Sequence, residues 1–358
     1  MGINDIIILI VIAFLCIGAI DKIFGNRFGL GERFSEGFMA MGSLTLAMVG
    51  IISLAPVIAN LLTPVVAPVY GLIGADPATF ANTILAIDMG GYSLATEMSQ
   101  HPDAELFAWV FLGTMMGPTV VFTIPVALGI IEKKDHPYFA KGILLGLITV
   151  PVGAFTGAMV AGLDKTIILI NLVPAILISL VIAFGLWKKP SAMITGFSVF
   201  GRGVEALAII GLTAIAVETL TGIVVIPNLT PLDEGIQIVG RLAIFLAGAF
   251  PMVAFISRAF DKYLAKVGGW LRISETSTTG LIASLAHSIP MLALLKEMEP
   301  RGKIINVAFA VSGAFVFGGH LGFVAGVNQE MVFAMIVGKL VSGFSAIALA
   351  LFTLKTTV

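Results

Sequence analysis

Apolar residues run in long blocks along the whole chain, divided by short polar clusters. Blocks at 3–24, 36–62, 105–131, 137–162, 166–187, 203–226, 233–257, 301–326 and 329–354 are each long enough for a helix to cross a bilayer core, which takes about 20 apolar residues. Two further blocks, 81–98 and 274–298, stop on residues that a bilayer rejects. The first halts at Asp88-Met89-Gly90-Gly91, the second at Ser274-Glu275-Thr276-Ser277-Thr278-Thr279-Gly280. The pattern predicts an all-α polytopic membrane protein with about nine full spans and two re-entrant or broken helices. If both broken segments cross, there are about eleven spans. Interrupted apolar segments in matching places of a duplicated membrane protein point to a transporter's substrate site.

Composition agrees with a membrane protein. Charged residues are 11% of the chain and apolar ones 58%, whereas a soluble domain carries about 25% charged residues. A net charge of −1 leaves no basic footprint for nucleic acid. The single Cys16 excludes an internal disulfide framework. Residues 3–20 lack a basic leader and are followed by Asp21-Lys22 rather than a small-residue cleavage site, so they read as the first span and not as a signal peptide. No metal-ligand spacing, Walker A sequence or cofactor motif occurs, and Gly201-Arg202-Gly203-Val204-Glu205-Ala206 has no strand before it to make it a dinucleotide fingerprint.

Lys and Arg in short loops set orientation. Lys22, Arg27 and Arg33; Lys133, Lys134 and Lys141; Lys188 and Lys189; Arg258, Lys262, Lys266 and Arg272; and Lys296, Arg301 and Lys303 all fall on one side if both broken segments are re-entrant. Loops 63–76 and 227–232 carry neither residue type. The N-terminus is therefore expected outside and the C-terminus in the cytoplasm. A weak internal repeat accompanies this. Glu36-Gly37, Gly42, Leu44 and Gly50 match Glu234-Gly235, Gly240, Leu242 and Gly248, and Leu85-Ala86, Leu94 and Glu97-Met98 match Leu285-Ala286, Leu294 and Glu297-Met298. The expected organisation is a first inverted repeat over 1–162, a connector span over 163–190, and a second inverted repeat over 191–358.

Asp88 is the sharpest candidate for chemistry. A carboxylate at mid-membrane costs roughly 2.5–3.5 kcal/mol on insertion scales and therefore has a partner or a function. Gly90 and Gly91 let a ligand approach the backbone, Tyr92 offers an aromatic face to an ammonium, and Asn82 and Thr83 offer neutral hydrogen bonds. Asp88 can equally cap a half-helix or pair with Arg241. In the second break Glu275, Thr276, Thr278 and Thr279 can meet a substrate or a coupling ion, or simply cap the following helix. His287 and His320 are candidates for a proton relay, set against the commoner role of a core histidine. Arg241 with Glu205 or Glu218 reads as a structural ion pair. Lys339 is able to snorkel, although it sits deep enough in its span to be noted. Gly-x-x-x-Gly spacings such as 113–117 and 153–157 read as close helix packing.

The residues also carry a resemblance. The run Glu36-Gly37-Phe38-Met39-Ala40-Met41-Gly42-Ser43-Leu44-Thr45-Leu46-Ala47-Met48-Val49-Gly50 resembles the opening motif of the ethanolamine-utilisation permease family, EutH. Asp88-Met89-Gly90-Gly91 and the stretch 113–132 are similar to it as well. The resemblance implies a bacterial cytoplasmic-membrane protein that brings in ethanolamine for breakdown by a cobalamin-dependent lyase, in many bacteria inside a microcompartment. It carries over no binding residues. Ethanolamine at neutral pH is a small ammonium with one hydroxyl, which suits Asp88 and Tyr92 for the charge and Asn82, Thr83 or the Thr276–Thr279 hydroxyls for the alcohol. Both H+ and Na+ coupling are compatible with these residues, and a homo-oligomer is neither required nor excluded. A transporter of another small amine or osmolyte, and a non-transporting ethanolamine sensor or scaffold, are the rival readings; a membrane enzyme lacks a nucleophile–base pair.

Overall fold

Backbone groups inside a bilayer have no water to bond, so a chain this apolar is expected to be helical wherever it crosses. The computed structural model describes residues 2–259 and 261–355, and no strand occurs among them. Residue 1 and residues 356–358, the outer ends of the two expected repeats, lie outside the described residues, as does position 260. Helix α1 (Ile3–Ile23) turns into α2 (Leu30–Gly71) around Asp21, whose buried carboxylate accepts from the N–H groups of Phe28 at 3.0 Å, Leu30 at 2.8 Å and Gly31 at 2.9 Å. Those last two are orphan donors of the first turn of α2, so the acid acts as its cap. At 42 residues α2 is about 63 Å long, twice a hydrocarbon core, and runs on past the expected end at residue 62. Pro64 and Pro68 lie in that surplus, and Pro56 shortly before it.

The first broken segment is α3 (Ala78–Ile84), a wide turn at Ile87–Gly91 and α4 (Tyr92–Met98). A long helix α5 (Pro102–Ala127) follows, then α6 (His136–Val160), α7 (Lys165–Lys188), α8 (Pro190–Thr221) and α9 (Leu232–Ala259). Helix α10 (Asp261–Leu271) leads to the second broken segment, α11 (Glu275–Ala286) and α12 (Ser288–Leu294). The chain ends with α13 (Pro300–Gly313), α14 (Gly319–Val327) and α15 (Val332–Lys355).

Both broken segments are hairpins whose ends meet. The N–H of Gln100, after α4, donates to Asp76 Oδ2, before α3, at 2.9 Å. Asp76 is held in turn by Asn171, whose side-chain oxygen accepts from the Asp76 N–H at 2.8 Å and from Thr79 Oγ1 at 2.7 Å. In the second hairpin Ser274 N–H and Ser277 Oγ donate to the carboxylate of Glu299, at 3.1 and 2.9 Å. Burial raises the Glu299 carboxyl, but these hydrogen bonds outweigh it and hold it below the ordinary glutamate value.

Helix α6 separates the two hairpin bases. Past its C-terminal end, Asp164 N–H donates to Asp103 Oδ2 at 2.8 Å beside the first base. Before its N-terminal end, the buried Lys303 ammonium binds the buried Asp135 at 2.5 Å beside the second. The hairpins therefore enter from opposite faces and point toward each other. Among the described residues eight helices are long and apolar enough to cross a membrane, and the broken pair α13–α14 is read as a further crossing. That last pair corrects the expectation of an uninterrupted span over 301–326. It unwinds after Gly313 because the second hairpin supplies other partners: Phe315 N–H donates to Ser284 O at 3.0 Å and Phe317 N–H to Leu285 O at 2.9 Å.

Glycines hold the bundle together by backbone contact. A Cβ on Gly50 of α2 would sit 1.8 Å from Ala208 O of α8, and one on Gly153 of α6 would sit 2.4 Å from Gly338 O of α15. Close approach of this kind drives helix association where the hydrophobic effect cannot. The outside is apolar: Ile20, Val181, Phe184, Ile209 and Ile210 are exposed, as lipid contact demands.

Asp135→Asn is expected to leave the Lys303 ammonium buried without a counter-charge and to destabilise the fold by about 3–5 kcal/mol. The double variant Asp135→Leu/Lys303→Met should recover much of the loss. Thermal unfolding of the purified protein in detergent measures both, and equal midpoints for the single variant and the wild type would refute the structural weight given to this pair.

Candidate functional site

At the tip of the first hairpin the helix stops because Leu85 and Ala86 are extended. Ala86 O then gathers the N–H groups of Met89 at 3.0 Å and Gly91 at 2.9 Å, which closes the turn that carries Asp88. Gly90 lies at φ +88°, and a Cβ there would fall 1.9 Å from Ile51 Cγ2 of α2. Left-handed backbone and contact with α2 both require glycine at this point. Asp88 is half-buried on the turn. Its neighbour Met89 lines a cleft of about 600 Å³ between α2, α5 and α8, with Phe122, Ser198, Arg202 and Glu205 also in its wall.

Three of the expected residues surround this tip. Asn82 is fully buried beside Gly91 and Gly113, and neither its Oδ1 nor its Nδ2 has a hydrogen-bond partner in the protein. Leaving such groups unpaired costs about 1–3 kcal/mol each, which is affordable where a ligand completes them. Tyr92 is half-buried, edge-on to Trp109 at 5.3 Å and to Phe323 at 5.5 Å. Trp109 Nε1 is likewise buried without a partner. Thr83 is buried but returns its hydroxyl to Phe80 O at 2.7 Å.

The second hairpin breaks at a different place from the one expected. Ser274 Oγ caps α11 by accepting from Ser277 N–H at 3.2 Å, so the hydroxyl-rich stretch is the start of a regular helix. Glu275 and Thr279 are exposed there, Thr276 is half-buried, and the buried Thr278 donates to Ser274 O at 3.0 Å. The unwound point is Ala286-His287, where His287 is extended and its Nδ1 accepts from Ile289 N–H at 3.2 Å to cap α12. The run of Ser and Thr masked this break because capping and unwinding recruit the same residue types. His287 forms the floor of a second cleft of about 420 Å³, whose mouth holds Arg33, Glu36 and Arg258.

The three breaks interlock. Gly318, after α13, lies so close to Ala286 that a Cβ would be 2.0 Å from its carbonyl oxygen. Gly117 of α5 stands in the same relation to Leu85 O of the first hairpin, at 1.9 Å. Phe315, at φ +62°, packs against His287 at 4.7 Å and against His320 at 4.9 Å, and Phe122 meets both Phe315 and His287 at about 6 Å.

Lys339 is the residue whose place sequence reasoning missed. It does not snorkel: it is fully buried, donates to Thr114 O of α5 at 2.5 Å, and meets His320 Nδ1 at 3.0 Å. Asp88 lies within electrostatic reach of it. Its depth in an apolar run, too far from either end to reach water, was the available signal. Arg241, by contrast, forms no ion pair with Glu205 or Glu218. Both Arg241 and Glu205 are exposed, while Glu218 keeps one buried oxygen without a partner. On α8, Arg202 and Glu205 face the cleft shared with α2 and α5, so Glu205 does not meet Arg241.

Known proteins resemble the chain along nearly its whole length. A family model described as ethanolamine utilisation protein, EutH, matches residues 3–353. The chain is 62% identical to the uncharacterised protein YxeR of Bacillus subtilis, over 98% of this chain and 95% of that one. It is 58% identical to the probable ethanolamine permease EutH of Listeria monocytogenes, over 98% and 94%. To the probable ethanolamine permease EutH of Escherichia coli it is 44% identical, over 98% and 95%. No solved structure matches.

Gly90→Ala is expected to destabilise the first hairpin by about 2 kcal/mol or more, from the strained φ and the overlap with Ile51 together. Gly42→Ala, on an open face of α2, should be neutral. Thermal midpoints of the two variants in detergent compare them; equal midpoints would show that the tip does not hold this conformation.

Proposed function

The chain belongs to the EutH family, and on that premise we propose that it carries ethanolamine across the bacterial cytoplasmic membrane. The observation that supports this most is Asp88: a carboxylate on an unwound hairpin tip whose Met89 lines a cleft and whose Gly91 lies against a buried asparagine with no partner. The ammonium end of the substrate is assigned to Asp88, with the Tyr92–Trp109–Phe323 cluster as its aromatic wall. Its hydroxyl is assigned to Asn82, whose amide can both accept and donate. Gly90 and Gly91 leave room for the ligand. Thr83 already bonds within its own helix, and Glu275, Thr276, Thr278 and Thr279 belong to the base of the second hairpin, so the substrate is assigned to the first tip.

The two halves are read as inverted repeats, 1–162 and 191–358, joined by a connector at 163–190. Leu85-Ala86 of the first hairpin and Leu285-Ala286 of the second each press a break carbonyl against a glycine of the helix that follows, Gly117 and Gly318. Two equivalent halves supply two equivalent openings, as alternating access requires. The Arg33–Arg258 cleft leads to the second tip from the face that gathers the basic loops. By the positive-inside rule that face is cytoplasmic, with the N-terminus outside and the C-terminus inside.

Labelled ethanolamine uptake into proteoliposomes at mildly acidic pH, where little neutral amine leaks through lipid, tests the reading. Wild-type protein should give saturable uptake, and choline and propanolamine as competitors would define its range. Asp88→Asn should reduce uptake to the level of empty liposomes with insertion and thermal midpoint unchanged; wild-type uptake by this variant would remove the counter-ion role.

A further inference from the structure

The buried Lys339 amine meets His320 of α14, the helix whose Phe323 packs against Tyr92 beside the tip assigned to the substrate, and the carrier reading gives it no task. Its surroundings are spare. Helix α5 offers the Thr114 carbonyl and α14 offers His320 Nδ1. From α6 and α13 come hydroxyls, Thr149 and Ser312, gathered around Ser342 one turn further along α15. Lys303 of α13 is already committed to Asp135. His287 reaches this region through Phe315. Among the described residues Asp88 is the acid that acts on the amine.

A single carboxylate thus faces two cations, the lysine ammonium and the bound substrate, in a medium that penalises uncompensated charge. One positive charge is balanced there and two are not. Resting on the carrier reading above, we infer that the substrate ammonium displaces a proton from Lys339, so that the protein exchanges one substrate cation for one H+ and moves no net charge.

His320 is built for both states. With Lys339 charged, Nδ1 accepts from the ammonium and the imidazole proton is on Nε2. When the substrate binds at Asp88, one N–H bond of the ammonium breaks and its proton joins Nδ1, while the Nε2 proton leaves to water. The ring is then the other neutral tautomer, and its new Nδ1–H donates to the lone pair of the neutral amine. Each state keeps its hydrogen bond, and the site carries one positive charge against Asp88 throughout. Reorientation with Lys339 charged and no substrate returns the proton to the other side.

Proteoliposomes on a solid-supported membrane, loaded with a pH dye, read charge and protons together. An ethanolamine jump onto wild-type protein should alkalinise the lumen faster than in empty liposomes, by about one H+ per substrate, and give no transport current. Imposed interior-negative potential at equal pH should not accelerate uptake, whereas an interior-acid gradient should. Lys339→Met removes the internal cation and should turn the carrier electrogenic, with an inward positive current and loss of lumenal alkalinisation. A wild-type current of one charge per ethanolamine, or uptake driven by Na+ with no proton movement, would overturn the exchange while leaving the carrier intact. An inactive Lys339→Met beside a currentless, proton-coupled wild type still supports it. No protein-dependent uptake under any gradient would overturn the carrier reading and this inference with it.

Discussion

Inside a bilayer every backbone N–H and C=O must find a partner in the protein, and this constraint governs how the molecule is allowed to open a site. Each of its breaks is repaired by a neighbour rather than by water. Ala86 O collects the turn at the first tip, His287 caps the helix beyond the second, and Ser284 and Leu285 take the N–H groups that α13 gives up when it unwinds. Because the break after Gly313 takes its partners from the second hairpin, those two breaks form together. The hairpin tips and the interruption after Gly313 are a single unit, and Gly117 and Gly318 are where that unit lets backbones touch.

The same constraint explains the carboxylates at the hairpin bases. A re-entrant segment has to leave by the face it entered, and Asp76 and Glu299 tie entry to exit with charge-assisted hydrogen bonds. Neither acid was a candidate for function by sequence, and neither is assigned one here beyond holding the hairpin shut. Polar groups without partners lie near both hairpin tips, Asn82 and Trp109 at the first and Ser288 at the second. Native interiors rarely tolerate this unless a ligand or a second state satisfies the groups.

Electrostatics adds a second requirement. The buried charges are few, and the Lys303–Asp135 pair is closed on itself near one face. Asp88 and Lys339 are not closed in this way: the amine leans on a carbonyl and an imidazole, and the carboxylate stands half-exposed on a turn. Charge left open in this way is costly in lipid.

What the sequence determined by itself was set by hydrophobicity along the chain, which is a local property. The all-α class, the span positions and the two interrupted segments follow from counting apolar residues against the bilayer, and Asp88 stood out because charge in such a run is expensive. The Glu36–Gly50 and 113–132 motifs placed the chain in its family. Tertiary structure alone decided the rest. That the broken segments return to their own face depends on hydrogen bonds between residues 24 or more apart, Gln100 with Asp76 and Ser274 with Glu299. The second break moved to Ala286-His287, because Ser and Thr serve a helix cap as readily as an unwound loop. The interruption of 301–326 came from partners on another hairpin. Arg241 stayed exposed and Glu205 lined a cleft instead of pairing, and Lys339, noted for its depth but able on sequence to snorkel, faced inward to His320. Periodicity fixes which residues share a helix face, but which face meets which neighbour is settled only when the helices pack.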